Sequence, residues 1–136
     1  GEHVPLIKLW SRRNANYTNG ISYVVQRGAE ALFSRKGKQE IKQLVDYYMN
    51  NIRMIREELI QSGLKVYGGV NSPYVWFKTP DDMPSWKFFQ LLLQDFQIVG
   101  TPGVVFGHEG EGYMRFGGFC SFEDTKIALN RIKNRL

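Results

Sequence analysis

Amphipathic helices separated by short runs of β-branched and aromatic residues predict an α+β fold, a short mixed sheet covered on one face by helices. Three stretches carry that prediction. Residues 38–62 hold a strong helical period, residues 64–67 and 74–79 are β-forming runs, and the glycine-punctuated segment 100–119 feeds a last apolar strand.

Taken in order, residues 1–10 place Val4, Leu6, Ile7, Leu9 and Trp10 without a cap, a turn or a methionine, as though cut from something longer. Residues 11–20 are polar, with turn chemistry at Asn19-Gly20, and read as a loop. Ile21, Val24, Val25, Gly28, Ala29, Leu32 and Phe33 fall at helical spacing, and Ser34-Arg-Lys-Gly37 breaks that helix. From about Lys38 to Ser62 the apolar stripe is Ile41, Leu44, Val45, Tyr48, Ile52, Ile55 and Leu59, and Gly63 terminates it. Leu64–Tyr67 and Tyr74–Thr79 are strands joined through a turn or bulge at Gly68-Gly69. Ser85 is expected to cap a helix reaching about Gln94, with Trp86, Phe89, Leu92 and Leu93 inward. Gln97–Val99 is a short strand, Tyr113–Phe119 a longer one, and Ser121-Phe-Glu-Asp124 caps a final helix with the stripe Ile127, Ala128, Arg131 and Ile132.

The composition excludes several classes of function. With 136 residues, 43% hydrophobic and 23% charged, the chain is that of one soluble globular domain. No run approaches the ~20 apolar residues of a membrane span, so a cytoplasmic location is the expectation. The single cysteine, Cys120, excludes an internal disulfide and is expected in the core. With His3 and His108 beside it there is no metal-ligand spacing. The net charge of +5 invites nucleic acid, but the basic residues are scattered among acids, as in Arg53-Met-Ile-Arg56-Glu57-Glu58. No serine sits in a nucleophile elbow, and neither histidine has a positioned carboxylate.

One charge stands out. Arg115, between Tyr113-Met114 and Phe116, is costly to bury without an anion, and its planar fork suits a carboxylate or a phosphate. The plain alternative is an edge-strand arginine turned to solvent or to a nearby glutamate. In the Gly-His-Glu-Gly-Glu-Gly segment two glutamates would repel phosphate, which rejects a nucleotide loop and leaves one where the backbone bends sharply near a ligand. Tyr74-Val-Trp-Phe could stack bases, with Tyr74 and Trp76 on one face, although core packing on both faces is the better expectation.

Several motifs together resemble the C-terminal part of the LL-diaminopimelate aminotransferase family. They are Arg12-Arg-Asn-Ala-Asn-Tyr-Thr-Asn-Gly20, Gln26-Arg-Gly-Ala-Glu-Ala31, Tyr67-Gly-Gly-Val-Asn-Ser-Pro-Tyr-Val-Trp76, Ser85-Trp86 and Val99-Gly-Thr-Pro-Gly, continuing through Phe106-Gly107 and Gly110-Glu-Gly-Tyr-Met-Arg115. The resemblance implies the fold-type I architecture, in which a large domain carries pyridoxal 5'-phosphate. Residues 1–34 would end that domain, with its last helix, and 35–136 would form the C-terminal small domain. It implies a homodimer acting on amino-acid and 2-oxo-acid substrates, with Arg115 on the substrate α-carboxylate and Asn19 reaching into the neighbouring subunit's site. Asn71 is a weaker candidate for substrate binding, otherwise a turn residue. The family's Ser-x-Ser-Lys motif, whose lysine anchors the cofactor, is absent from this chain, so no catalytic residue is assigned and the chain alone is expected to be inactive. Val104-Val105 and Phe116-Gly117-Gly118 depart from the family pattern and bear on specificity. The rival readings are an aminotransferase for aspartate, aromatic residues or methionine, and a non-enzymatic basic α+β binding module.

Overall fold

The computed structural model describes residues 5–133. These divide into two compact units, the first running to Gln43 and the second starting at Leu44.

The first unit is helical. α1 spans Leu6–Tyr17 and α2 spans Tyr23–Leu32, and neither contains a buried residue. α1 corrects the expectation of a loop over residues 11–20. Asn14 and Asn16 lower the helical propensity, yet Leu6, Ile7, Leu9 and Trp10 continue a helical period into them, and Thr18 closes the helix by hydrogen bonding the Asn14 carbonyl. Asn19 and Gly20 then take left-handed angles, φ 50° and 81°, and turn the chain into α2. α3 covers Arg35–Gln61 and crosses from the first unit into the second. It starts three residues earlier than its apolar stripe suggests. Ser34 accepts the Gly37 N–H in its side-chain oxygen at 3.0 Å, an N-cap bond that makes residues 34–37 a helix start. Gly37 is required there, because a Cβ would lie 2.4 Å from the Ala31 carbonyl oxygen.

In the second unit α3 ends on Gly63, with φ 81°, in a Schellman turn. Leu64 N–H bonds the Leu59 carbonyl and Gly63 N–H bonds that of Ile60. The chain continues through β1 (Val66–Gly68), β2 (Tyr74–Lys78), α4 (Ser85–Leu91), β3 (Thr101–Pro102), β4 (Tyr113–Gly117) and α5 (Phe122–Lys133). The sheet order is β1-β2-β4-β3, and every pairing is antiparallel where a mixed sheet was expected. α4 runs on into a wide π-helical turn, Leu92–Phe96, closed by Gln97 in a left-handed conformation. That turn displaces the expected strand at 97–99, and pairing begins only at Thr101.

One face of the sheet makes the core. Val75, Phe77, Met114 and Phe116 are buried with Ile52, Ile55 and Leu59 of α3, Phe88 of α4, Leu92 and Phe96 of the wide turn, and Ile132 of α5. The stripe of α3 is therefore only half used, since Leu44 and Val45 remain about half exposed. On α4 Phe88 turns inward and Phe89 packs partly against the core, Leu92 of the wide turn is buried as expected, and Trp86 and Leu93 face out. Asn51, fully buried, ties the corner between β4 and α5 by donating to the Gly118 and Cys120 carbonyls at 3.2 and 2.9 Å. Cys120 itself is exposed rather than in the core, because the backbone at this corner, and not its side chain, meets α3. Ser121 caps α5 as expected, its Oγ accepting the Asp124 N–H at 3.0 Å.

Candidate functional site

The other face of the sheet is not closed by the core. Alternation along β2 and β4 brings Tyr74, Trp76 and Lys78 beside Tyr113 and Arg115, and Tyr67 of β1 joins them opposite Trp76. These residues are half-buried or exposed, which corrects the expectation of core packing on both sides of Tyr74–Phe77. The rings support each other. Trp76 stacks on Tyr113 at 5.6 Å between centroids and meets Phe106 edge-on at 5.8 Å.

Arg115 pairs with Trp76 across β2 and with Thr101 across β3. Its guanidinium carbon lies 4.5 Å from the Tyr74 ring centroid and 4.6 Å from that of Phe106. Among the described residues no carboxylate or carbonyl meets it. An open depression beside it is lined by Tyr67, Ser72, Tyr74 and Trp76. Ser72, rather than Asn71, shares that depression; Asn71 is exposed in the turn before β2. Asn19 is exposed in the first unit, while Arg115 and Asn71 belong to the second.

The glycine-rich segment is a scaffold for this face. Residues Gly103–Phe106 and His108–Gly110 form two 3-10 turns folded against each other. A Cβ on Gly103 would lie 2.3 Å from the Gly110 carbonyl oxygen, and one on Gly110 would lie 2.1 Å from that of Gly103. The two backbones pack where no side chain fits, and Phe106 emerges from the first turn against Arg115. His108 and Glu109 are solvent-exposed and meet each other, His108 Nε2 lying 2.7 Å from Glu109 Oε1, so His108 has a carboxylate beside it after all, but one in open solvent.

Ser85 and Glu111 lock the segment to α4. Ser85 is fully buried and is not a helix cap. Its Oγ accepts the N–H groups of Gly112 at 2.9 Å and Tyr113 at 3.3 Å, and donates to the Gly110 carbonyl at 3.3 Å. The capping role passes to Glu111, whose carboxylate accepts the Ser85 N–H at 2.9 Å. Sequence reasoning missed both roles, because each bond spans more than twenty residues. Ser85→Ala is expected to strand two part-buried N–H donors and cost about 1–2 kcal/mol. Urea unfolding would show it as a lower midpoint at an unchanged slope; an unchanged midpoint would remove Ser85 from this role.

Lys78 is the lysine on the open face of β2, and it is a poor anchor for pyridoxal phosphate. It pairs with Asp82, which through a hydrogen bond and its charge raises the ammonium pKa above the ordinary value, while the Asp82 carboxyl is lowered. A lysine that forms a covalent bond to a carbonyl must first lose its proton, and the Asp82 carboxylate favours keeping that proton on Lys78. The open face offers a cation for a carboxylate and aromatic walls, without the anchoring chemistry of the cofactor.

No family model matches the chain. In sequence it is 51% identical over all 136 residues to an LL-diaminopimelate aminotransferase of Bacteroides fragilis, of which it covers 33%. It is 52% identical over 132 residues to that of Methanosphaera stadtmanae, covering 97% of this chain and 32% of the relative. The structure of L,L-diaminopimelate aminotransferase from Chlamydomonas reinhardtii superposes with a TM-score of 0.91 at 34% identity, over 96% of this chain and 32% of that one. A Methanococcus jannaschii protein described as similar in its active site to kynurenine aminotransferases follows the same fold, with a TM-score of 0.81 at 24% identity.

The fold is that of the fold-type I aminotransferases, enzymes that use pyridoxal phosphate. Within that class the sequence matches the LL-diaminopimelate aminotransferases, about a third of whose length this chain spans.

Proposed function

We propose that the chain is the C-terminal portion of an LL-diaminopimelate aminotransferase and supplies the group that binds the substrate α-carboxylate. The observation that carries this reading is Arg115, a cation without an anionic partner among the described residues, set in an aromatic wall beside an open depression. A guanidinium so placed gains from a two-pronged bond to a carboxylate, and that bond fixes the orientation of the substrate. In the whole enzyme the reaction is transfer of an amino group between LL-2,6-diaminopimelate and 2-oxoglutarate, giving tetrahydrodipicolinate and glutamate, a step of lysine biosynthesis. Pyridoxal phosphate supplies the ring that takes up carbanion charge.

On this reading residues 1–34 end the large domain and 35–136 form the small one. The enzyme is a cytoplasmic homodimer, in which Asn19 reaches the neighbouring subunit's substrate, with Asn71 a weaker contact. The exposed position and left-handed backbone of Asn19 support its role as a projecting turn residue. Among the described residues no helix is long and apolar enough to cross a membrane.

The test is a substrate panel on a full-length protein carrying this segment. LL-diaminopimelate is expected to exceed aspartate, phenylalanine and methionine in kcat/KM by about 100-fold or more, since a site that pairs every polar group of its substrate rejects analogues lacking them. A flat panel, or a preference for one of the shorter amino acids, moves the assignment to another aminotransferase. The 136-residue chain alone, with pyridoxal phosphate added, is expected to show no turnover; turnover would overturn the inactive-segment reading.

A further inference from the structure

Arg115 must be held in place without spending the donors that a ligand needs. A carboxylate partner would fix it, but would also occupy its N–H groups and cancel its charge. Aromatic rings do neither, because the ring quadrupole attracts the cation weakly and leaves the N–H donors free for the acceptor oxygens of the incoming ligand. The two rings against Arg115 come from opposite sides of its strand. β4 lies between β2 and β3; Tyr74 belongs to β2, and Phe106 to the turn that follows β3.

Each ring is itself braced. Tyr74 meets Phe119 edge-on at 5.2 Å, and a Cβ on Gly117, its partner across the strands, would approach the ring to 3.4 Å. Phe106 meets Trp76 edge-on at 5.8 Å and is set by the packed glycines Gly103 and Gly110. Tyr74 is 38% and Phe106 53% exposed, so each ring keeps a face toward solvent beside Arg115.

We propose that Tyr74 and Phe106 are positioning residues for Arg115, two rings that hold its guanidinium from either side of β4 and leave its donors for a ligand carboxylate. The identity of that ligand rests on the proposed function, whereas the clamp itself does not. It also gives a use to the Phe-Gly step of the Thr-Pro-Gly-Val-Val-Phe-Gly segment, which places a ring over the arginine.

The experiment has two arms. In the 136-residue chain, the Nε–H signal of Arg115, assigned by its loss in Arg115→Lys, is expected to be displaced by the ring currents of both aromatics. Tyr74→Leu and Phe106→Leu each relieve part of the displacement, while Tyr74→Phe and Phe106→Tyr keep it. In the full-length enzyme, Tyr74→Leu with Phe106→Leu is expected to raise KM for amino donor and oxo acid together by about tenfold, or 1.4 kcal/mol, with a smaller change in kcat. The ring-keeping pair stays within about twofold of the parent. An undisplaced signal in the parent chain, an unchanged KM in the leucine pair, or an equal loss in the ring-keeping pair overturns the clamp. Addition of acetate to the chain separates the two proposals: a displaced Arg115 signal that does not respond to acetate keeps the clamp and removes the carboxylate reading.

Discussion

Gly110→Ala is expected to destabilise the second unit by more than about 3 kcal/mol, at or beyond the upper end of ordinary overpacking. The new methyl carbon would sit 2.1 Å from the Gly103 carbonyl oxygen and 2.5 Å from its carbonyl carbon. Both obstacles are backbone, so no rotamer change relieves the clash, and the two 3-10 turns must part. Parting them moves Gly110, whose carbonyl accepts from Ser85, and Phe106, which lies against Arg115. For a unit of this size a loss of about 3 kcal/mol corresponds to a fall in Tm of about 12–24 °C. Thermal unfolding followed by far-ultraviolet circular dichroism checks it, with Gly28→Ala as the control. Gly28 lies inside α2 with open space around its Cβ position, so alanine there is expected to stabilise by about 1 kcal/mol. If Gly110→Ala melts within a few degrees of the parent, the back-to-back glycine packing is not what holds this segment.

The fold was legible wherever local chemistry decides it. Gly63 terminates α3 through a left-handed turn, and Ser121 caps α5 through its own hydroxyl; both signals lie within a few residues of their effect. The alternation in β2 separated Val75 and Phe77 from Tyr74 and Trp76. What alternation could not say is which face meets helices, since that depends on where α3, α4 and α5 come to lie. The same limit explains α4. Its period placed Trp86, Phe89, Leu92 and Leu93 inward; Leu92 is buried and Phe89 packs partly against the core, whereas Phe88 takes the central place and Trp86 and Leu93 stay exposed. The helix across residues 11–17 was hidden for the opposite reason. Its polar composition reads as a loop, and no residue in it is buried to betray the helical face.

The candidate site was legible in part. A lone arginine in an apolar strand drew attention to Arg115, and the structure adds the rings against it. Phe106 is nine residues away in sequence and Tyr74 forty-one, so their meeting depends on the pairing of β4 with both neighbours. Ser85 and Glu111 were visible as members of a family motif, but their bond could be found only once α4 met the glycine turns. The glycines themselves, at first a sign of a bending loop, turn out to be required by the close approach of two backbones.

On the proposed reading, replacing Arg115 in a full-length protein carrying this segment is expected to have the largest effect on turnover. Arg115→Met removes the fork and the charge together, and losing one partner of a charge pair that ligand binding desolvates costs about 4 kcal/mol, or roughly 10³-fold in kcat/KM. Arg115→Lys keeps a point charge but cannot make two parallel bonds, so a loss of about 10–100-fold is expected. The pattern across substrates matters more than the size. Both an amino donor and an oxo acid carry the α-carboxylate, so both half-reactions should fall by a similar factor. An amine of equal length without that carboxylate, already a poor substrate, should lose almost nothing further, because the interaction that the variant removes is absent from it. Steady-state kinetics on the parent and both variants, with and without the carboxylate, close that cycle. A variant that slows the carboxylate-free amine as much as the natural substrate would show Arg115 acting on the fold. In that outcome the aromatic face of the sheet would still bind a ligand only if some other cation were found to meet it, and the described residues place Lys78 there already committed to Asp82.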